Sequence, residues 1–359
     1  MPYLPRQITA AHRLFAFIIF TVGFAGCNTL VGDKPDEGQL VYPAPPADAR
    51  FRQVFELRNS NDILRKTTAE RLQQIATGFG NQGITFDKPY AIASRNGRIY
   101  VSDTAMRLIH VYDIARRRYF QMGVRREGTV VKPLGLDVDG EGRIYAADAS
   151  AGRVIVYDPL GLYIGDLNTD KVKFDRPVGV AASRSGDRIY VVDNDGVTSS
   201  QHRVLVFDGD RNYVKSIGSR GVEEGQFNMP RDVAVAGDGT VFVLDAGNFR
   251  IQAFDREGKF LRSWGGIGNR PGQFARPRAI AADDNGLVYV SDASYGNVQI
   301  FNHEGQLLLF IGKFGTTDVP GNFPMIAGIA ADEGGRLYVI DQLFKRVSIF
   351  SPVTASKPK

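Results

Sequence analysis

One short pattern of alternating apolar residues recurs along this chain and always ends in an aspartate. The copies are GRIYVSD ending at Asp103, GRIYAAD at Asp148, DRIYVVD at Asp193, GTVFVLD at Asp245, GLVYVSD at Asp292 and GRLYVID at Asp341. Successive aspartates are 45, 45, 52, 47 and 49 residues apart. A period of this size indicates a propeller or a solenoid, because each repeat is one supersecondary unit that must stack on its neighbours.

Three further pieces accompany each copy. A turn marked by Phe and Pro precedes a strand of small and aliphatic residues, at Phe86–Pro89, Val130–Pro133, Phe174–Pro177, Phe227–Pro230, Phe274–Pro277 and, with the proline displaced, Phe323–Ile326. After each aspartate comes a third strand, Arg107–Asp113, Arg153–Asp158, Arg203–Asp208, Arg250–Asp255, Asn297–Asn302 and Arg346–Phe350, and then an outer strand that ends near glycine. Four short strands in a meander, repeated six times, predict an all-β six-bladed propeller.

The chain ends soon after the third strand of the last repeat, so the last blade lacks an outer strand of its own. The alternating stretch 49–58 predicts a spare strand that would complete this blade and close the ring. Between it and the first repeat, Thr67 and Glu70 have capping-box spacing and Gly78 suits a helix end, which predicts one short helix over about 68–77.

The repeated patterns resemble the NHL repeat family, with Asp245–Phe254 the best-matching copy. The resemblance covers about 80–350 and implies an NHL-type β-propeller. It implies a fold and a binding platform far more firmly than an activity.

The N-terminus predicts export and lipid attachment. Residues 1–26 contain two arginines and then the apolar run Leu14–Phe24, which is short for a membrane span and suits a signal peptide. The run ends in Phe-Ala-Gly before Cys27, the single cysteine of the chain, and resembles a bacterial lipobox. We expect lipidation at Cys27, a flexible tether over 27–48, the propeller over 49–351 and a disordered tail over 352–359. Asn28 favours the outer over the inner membrane of a bacterial envelope.

Composition narrows the class of function. The net charge is +5, and it falls to +3 without the two signal-peptide arginines, so nothing calls for nucleic acid as a partner. Beyond the signal peptide the histidines are His110, His202 and His303, whose places in the repeats do not converge. A three-histidine zinc site of the kind found in amidating lyases is therefore not expected. Asp137 and Asp232 are lone acids among apolar inner-strand residues, so we expect neither a metal nor another cofactor.

The aspartate at each strand end and the arginine that follows it predict a structural pair. A carboxylate that binds loop amides and a guanidinium would hold the turn between the second and third strands. The pairs are Asp103 with Arg107, Asp148 with Arg153, Asp193 with Arg203, Asp245 with Arg250, and Asp341 with Arg346.

Functional residues should instead differ from blade to blade, and they should lie on the face where the inner strands begin. On that face the sequence places a mainly basic set of residues: Lys88, Tyr90, Lys132, Arg176, Arg231, Asp232, Arg276 and Arg278. The alternative is that these are solvated residues that support the turns. We expect a membrane-anchored, non-catalytic platform with a monomeric domain that binds another envelope protein, a peptide or an anionic surface polymer through this face. The alternative is a metal-dependent hydrolase or lyase of the gluconolactonase or amidating-lyase type.

Overall fold

The computed structural model describes residues 40–65, 72, 75–77 and 83–353. Six sheets are arranged around an axial channel, and each sheet is a four-stranded antiparallel meander except the last, which has a fifth strand. The inner strands of consecutive blades touch, and the inner strand of blade six touches that of blade one. The prediction of an all-β six-bladed propeller is therefore confirmed.

The first three blades are continuous in sequence. Blade one contains β3 (Pro89–Arg95), β4 (Arg98–Asp103), β5 (Leu108–Asp113) and β6 (Arg118–Met122). Blade two contains β7 (Pro133–Val138), β8 (Ile144–Asp148), β9 (Arg153–Tyr157) and β10 (Tyr163–Asp166). Blade three contains β11 (Pro177–Ala182), β12 (Arg188–Asn194), β13 (His202–Asp208) and β14 (Tyr213–Ile217).

The last three blades end with the closure of the ring. Blade four contains β15 (Asp232–Val235), β16 (Val241–Asp245), β17 (Arg250–Phe254) and β18 (Phe260–Gly265). Blade five contains β19 (Pro277–Ala282), β20 (Val288–Asp292), β21 (Asn297–Phe301) and β22 (Leu307–Ile311). Blade six contains β23 (Ile326–Ala331), β24 (Leu337–Asp341) and β25 (Arg346–Pro352), then β2 (Phe51–Leu57) and β1 (Val41–Tyr42) from the N-terminal part.

The N-terminal strand closes the last blade, as predicted. β2 pairs antiparallel with β25, with Phe51 opposite Pro352 and Leu57 opposite Val347. Behind this pairing the fully buried Arg346 donates to the Glu56 carboxylate at 2.9 Å and to the Asp318 carboxylate at 3.0 Å. One buried guanidinium therefore joins the two ends of the propeller.

Apolar side chains fill the spaces between neighbouring blades. Between blades one and two, Tyr100 and Ile109 pack with Leu136 and Ile155. Near the axis the inner strands approach so closely that a Cβ on Gly328 would lie 2.5 Å from the Tyr90 carbonyl oxygen. Each sheet buries both faces only against its neighbours, so the fold depends on a complete ring.

The remaining elements are short helices, which lie before blade one, between blades one and two, and within blade four. Residues 75–77 are helical, within the predicted helix, while the predicted capping residues Thr67 and Glu70 and the predicted end at Gly78 lie outside the described residues. Three short 3₁₀ helices cover Ser60–Asp62, Arg126–Gly128 and Ala246–Asn248. β1 falls inside the stretch predicted as a tether. The signal peptide, Cys27 and most of the C-terminal tail also lie outside the described residues. No helix within the described ranges is long and apolar enough to cross a membrane.

Candidate functional site

The axial channel is lined by the inner strands of all six blades and has a volume of about 100 Å³. Its wall is mostly Ala, Gly, Val, Ile and Leu, so the charged side chains along it stand out. They lie at three levels: at the end where the inner strands begin, in the wall, and at the end where these strands finish. We call the first the arginine end and the last the bridged end.

Three side chains from different blades meet at the arginine end. Tyr90 of blade one lies opposite Arg231 of blade four in the ring, and the Arg231 Nη2 donates to the Tyr90 hydroxyl at 3.2 Å. The Arg278 guanidinium of blade five lies over the Tyr90 ring, 5.8 Å from its centroid. Such a contact stabilises a cation by about 0.5–1 kcal/mol when the site is exposed. The cluster therefore reaches across the channel axis.

The two arginines of this cluster are not neutralised. Among the residues that the structure describes, neither guanidinium forms a salt bridge with a carboxylate, and the Arg231 Nε is buried without a hydrogen-bond partner. Burial, with the neighbouring Arg231 charge, lowers the pKa of Arg278 to about 10. The Asp232 carboxyl group interacts with the Arg231 charge without forming a salt bridge, so the two half-buried like charges still cost free energy, which an anion bound between them would reduce.

Two carboxyl groups stand in the apolar wall below the arginines. Asp232 accepts the backbone N–H groups of Val233 and Ile280, each at 3.0 Å. Asp137 accepts the N–H of Ala182 at 2.7 Å. Burial raises the pKa of Asp137 to about 6 and that of Asp232 to about 7, and the amide hydrogen bonds only partly oppose it. Both groups are therefore poised to exchange a proton near neutral pH.

At the bridged end one pair of opposite charges is joined across blades, and two other charged side chains bind backbone groups of a neighbouring blade. Arg184 of blade three forms a salt bridge with Asp284 of blade five, past Gly237 of blade four. The Glu333 carboxylate of blade six accepts the backbone N–H of Asn96 at 2.8 Å. Arg95 donates to the Val138 carbonyl at 3.3 Å. The sequence patterns did not single out these residues, because only the closed ring brings distant turns together.

The basic set predicted for the loop face divides into two groups. Tyr90, Arg231, Asp232 and Arg278 line the channel. The other members belong to the loops that enter the inner strands and are not part of the channel lining, and three of them are exposed: Lys88, Lys132 and Arg276, with Arg176 half-buried. The channel lining is therefore the part of the predicted face in which charges from several blades converge.

Each repeated aspartate holds the loop that enters the inner strand of its own blade. All six are fully buried, and their carboxylates accept backbone N–H groups of residues that include Lys88, Lys132, Arg176, Asn228, Arg276 and Met325. Direct contact with the following arginine occurs for Asp193 with Arg203, at 3.0 Å, and for Asp245 with Arg250, at 2.8 Å.

The arginine has other partners in the remaining three pairs. Arg107 is exposed, and it is the His110 Nε2 of the third strand that lies 3.7 Å from the Asp103 carboxylate. Arg153 binds Asp166 and two carbonyls of the preceding loop, while Asp148 is satisfied by backbone amides. Arg346 turns to Glu56 and Asp318 at the ring closure, away from Asp341. In blades two and six, an acidic residue of the outer strand therefore binds the arginine in place of the repeated aspartate.

The histidines are separated in the structure. His110 lies buried in β5, His202 begins β13 and accepts from the Met229 amide, and His303 lies in the turn after β21. Within the described ranges, no three His, Cys, Asp or Glu side chains come together as a metal site would require.

The sequence of blade four and the overall fold are similar to those of known proteins. Residues 227–254 match the NHL repeat. Blade four contains an NHL repeat. Mouse (Mus musculus) NHL repeat-containing protein 3 is 28% identical over 175 residues, which cover 45% of this chain and 49% of that protein. The chain thus spans about half the length of this curated relative.

Solved structures share the fold at low identity. A gluconolactonase from Xanthomonas campestris is 16% identical, with a TM-score of 0.55, covering 75% of this chain and 87% of that one. A virginiamycin B lyase from Staphylococcus aureus is 12% identical, with a TM-score of 0.54, covering 85% and 100%. Hydrazine synthase from Kuenenia stuttgartiensis is 18% identical, with a TM-score of 0.53, covering 74% and 76%. At these identities the likeness shows the fold alone.

Proposed function

We propose that this protein is a non-catalytic binding platform that captures an anionic group of its partner at the arginine end of the channel. The observation that carries the proposal is that Arg231 and Arg278 meet around Tyr90, one at its hydroxyl and one over its ring, without a salt bridge among the described residues. Arginine suits this role because its planar guanidinium binds carboxylate or phosphate in a bidentate manner. The other basic loop residues, Lys88 and Lys132 among them, would attract an anionic partner to the same face.

The test is binding of a short glutamate-rich peptide to the purified protein. We expect the double variant Arg231→Gln with Arg278→Gln to bind at least about tenfold more weakly than the wild type, because each charged hydrogen bond contributes about 1.5–3 kcal/mol. Arg256→Gln is the matched control, since it removes the same charge from an exposed position outside the channel lining. Equal losses in the two variants, or no binding by the wild type, would contradict a specific anion site.

The second part of the proposal concerns location. We propose that the platform is a lipoprotein of a bacterial envelope, held at the outer membrane by a lipidated Cys27. The lipobox-like Phe-Ala-Gly-Cys sequence after an apolar run supports this. Cys27→Ser should move the protein from the membrane fraction to the soluble fraction of expressing cells. Retention of the variant in the membrane fraction would rule out anchoring through this residue.

A hydrolase or lyase is the second candidate. Asp137 and Asp232 favour it, because carboxyl groups with pKa values of about 6 and about 7 suit general acid–base catalysis near neutral pH. The similarity in fold to a gluconolactonase and a virginiamycin B lyase is compatible with it. The metal content of the purified protein distinguishes the candidates. If each chain binds one divalent ion tightly, and Asp232→Asn loses both this ion and a lactonase or lyase activity, the protein is an enzyme and not a non-catalytic platform.

A further inference from the structure

We propose that the channel binds a small zwitterion, with its carboxylate on Arg231 and Arg278 and its ammonium group against Asp232 and Asp137. The inference rests on the anion site proposed above and adds the class of ligand. It follows from opposite charges at different depths of one apolar channel, with unneutralised cations at one level and carboxyl groups at the next.

The carboxyl groups of Asp232 and Asp137 have acceptor positions left for hydrogen bonds from an ammonium group. An ionised carboxylate offers about four lone-pair positions. Asp232 uses two of them on the amides of Val233 and Ile280, and Asp137 accepts from the amide of Ala182. The charge of Arg231 lowers the pKa of Asp232 and that of Arg95 lowers the pKa of Asp137, but among the described residues neither arginine lies within salt-bridge distance of these carboxyl groups. An ammonium group would supply three donors and would favour the ionised form of both acids.

The depth of the acids sets the length of the ligand. Arg231 and Arg278 follow the proline of their strands directly, Asp232 comes one residue later, and Asp137 is the fourth residue after Pro133. At about 3.3 Å per residue, the level of Asp137 lies about 10 Å below that of the arginines along the axis. The side chains on both levels shorten this separation. A short ω-amino acid would therefore match the charges, whereas an α-amino acid would reach only Asp232.

The size of the channel supports the same class. Its volume is about 100 Å³. A cavity of about 150 Å³ in another protein holds benzene, which has six non-hydrogen atoms, so this channel would enclose about four, with the carboxylate of the ligand beside the arginines at its end. Alanine and glycine in the wall, such as Ala91 and Gly135, would contact the methylene groups of the ligand.

The test compares three probes of the same chain length: 4-aminobutyrate, butyrate and butylamine. Calorimetric titration of the full-length protein should give an affinity for 4-aminobutyrate at least about tenfold higher than for butyrate, with butylamine weaker than both. Asp137→Asn should remove most of this advantage without weakening the binding of butyrate. Arg278→Gln should weaken the binding of both 4-aminobutyrate and butyrate. Arg256→Gln, which removes an exposed arginine from a salt bridge outside the channel lining, is the control.

The possible outcomes separate the two proposals. Equal affinities for 4-aminobutyrate and butyrate, both lost in Arg278→Gln, would overturn the zwitterion site and leave the anion site intact. Preferential binding of butylamine, or an advantage that survives in Asp137→Asn, would also overturn it. If neither carboxylate binds while the glutamate-rich peptide does, the channel does not enclose the ligand and the zwitterion proposal fails alone. If that peptide does not bind either, the anion site fails too.

Discussion

The two ends of the axial channel use the same residue types with opposite results. At the bridged end, Arg184 and Asp284 come from different blades and neutralise each other. At the arginine end, Arg231 and Arg278 also come from different blades, but they contact a tyrosine and form no salt bridge among the described residues. A paired end stabilises the ring, whereas an unpaired end retains a cost that a ligand can relieve. The difference therefore indicates which end binds.

The largest expected effect comes from weakening the closure of the ring, on which both ends of the channel depend. Arg346→Ala would leave the Glu56 and Asp318 carboxylates without their buried cation, and we expect a loss of about 3–5 kcal/mol in the free energy of unfolding. Chemical denaturation measures it. Arg153→Ala, which changes a half-buried arginine in blade two, is the control and should cost less. Equal losses would show that Arg346 is not a special link between the chain ends.

The next effect concerns the wall acid nearest the arginine end. An aspartate in an unfolded chain has a pKa of about 3.9, whereas that of Asp232 in the folded protein is about 7. Between these values the folded state holds a proton that the unfolded state has released, so stability falls as the pH rises through this window. Asp232→Asn, which cannot ionise, should raise the melting temperature by about 2–4 °C at pH 8 and leave it unchanged at pH 4.

Asp137→Asn is the companion variant for this pH series. The pKa of Asp137 is about 6, so the gain in melting temperature from Asp137→Asn should be smaller and should level off about one pH unit lower than that from Asp232→Asn. A gain that is independent of pH in either variant would show that ionisation of the carboxyl group is not the cause.

Removing an arginine should have a smaller effect on stability, and we expect this effect to be a gain at the arginine end and a loss at the bridged end. Arg278→Gln removes one of two like charges, and we expect it to stabilise the protein by on the order of 1 kcal/mol at low ionic strength, with less gain in 1 M NaCl. Thermal denaturation of the ligand-free protein measures it. Destabilisation by this substitution would mean that Arg278 already has a compensating partner.

The smallest effect is expected at the bridged end. Arg184→Gln breaks a salt bridge between side chains that are 47% and 31% exposed, so the loss should be only about 0.2–1 kcal/mol. Arg256→Gln, which breaks the comparably exposed bridge to Asp187, should cost the same. Affinity for the glutamate-rich peptide should not change in Arg184→Gln. A clear loss of that affinity would mean that the two ends of the channel act together.

The fold was predictable because each repeat carries its own signals. Alternation around Tyr145 or Tyr289 predicts a strand, and the spacing of the aspartates predicts the number of blades. The missing outer strand of blade six was predictable by counting, and Phe51–Leu57 provides it. These signals are local or periodic, so a single sequence contains them.

The candidate site was predictable only in part. A face bearing Arg231 and Arg278 follows from their place beside the proline at the start of each inner strand, and Asp137 stands out as an acid in an apolar strand. The sequence could not show that Tyr90 reaches Arg231, because they are 141 residues apart and lie in opposite blades. It also could not show that Arg184 meets Asp284, whose turns become neighbours only across an intervening blade.

Strand periodicity and the repeat length required only the residues of each blade, so the amino-acid sequence alone decided the six-bladed ring and the blade that closes it. Which charges are paired depends on contacts between blades, and these exist only after the ring has closed. Tertiary structure therefore decided that Arg346 joins the chain ends, that Arg184 is neutralised, and that Arg231 and Arg278 meet around Tyr90 without a salt bridge among the described residues.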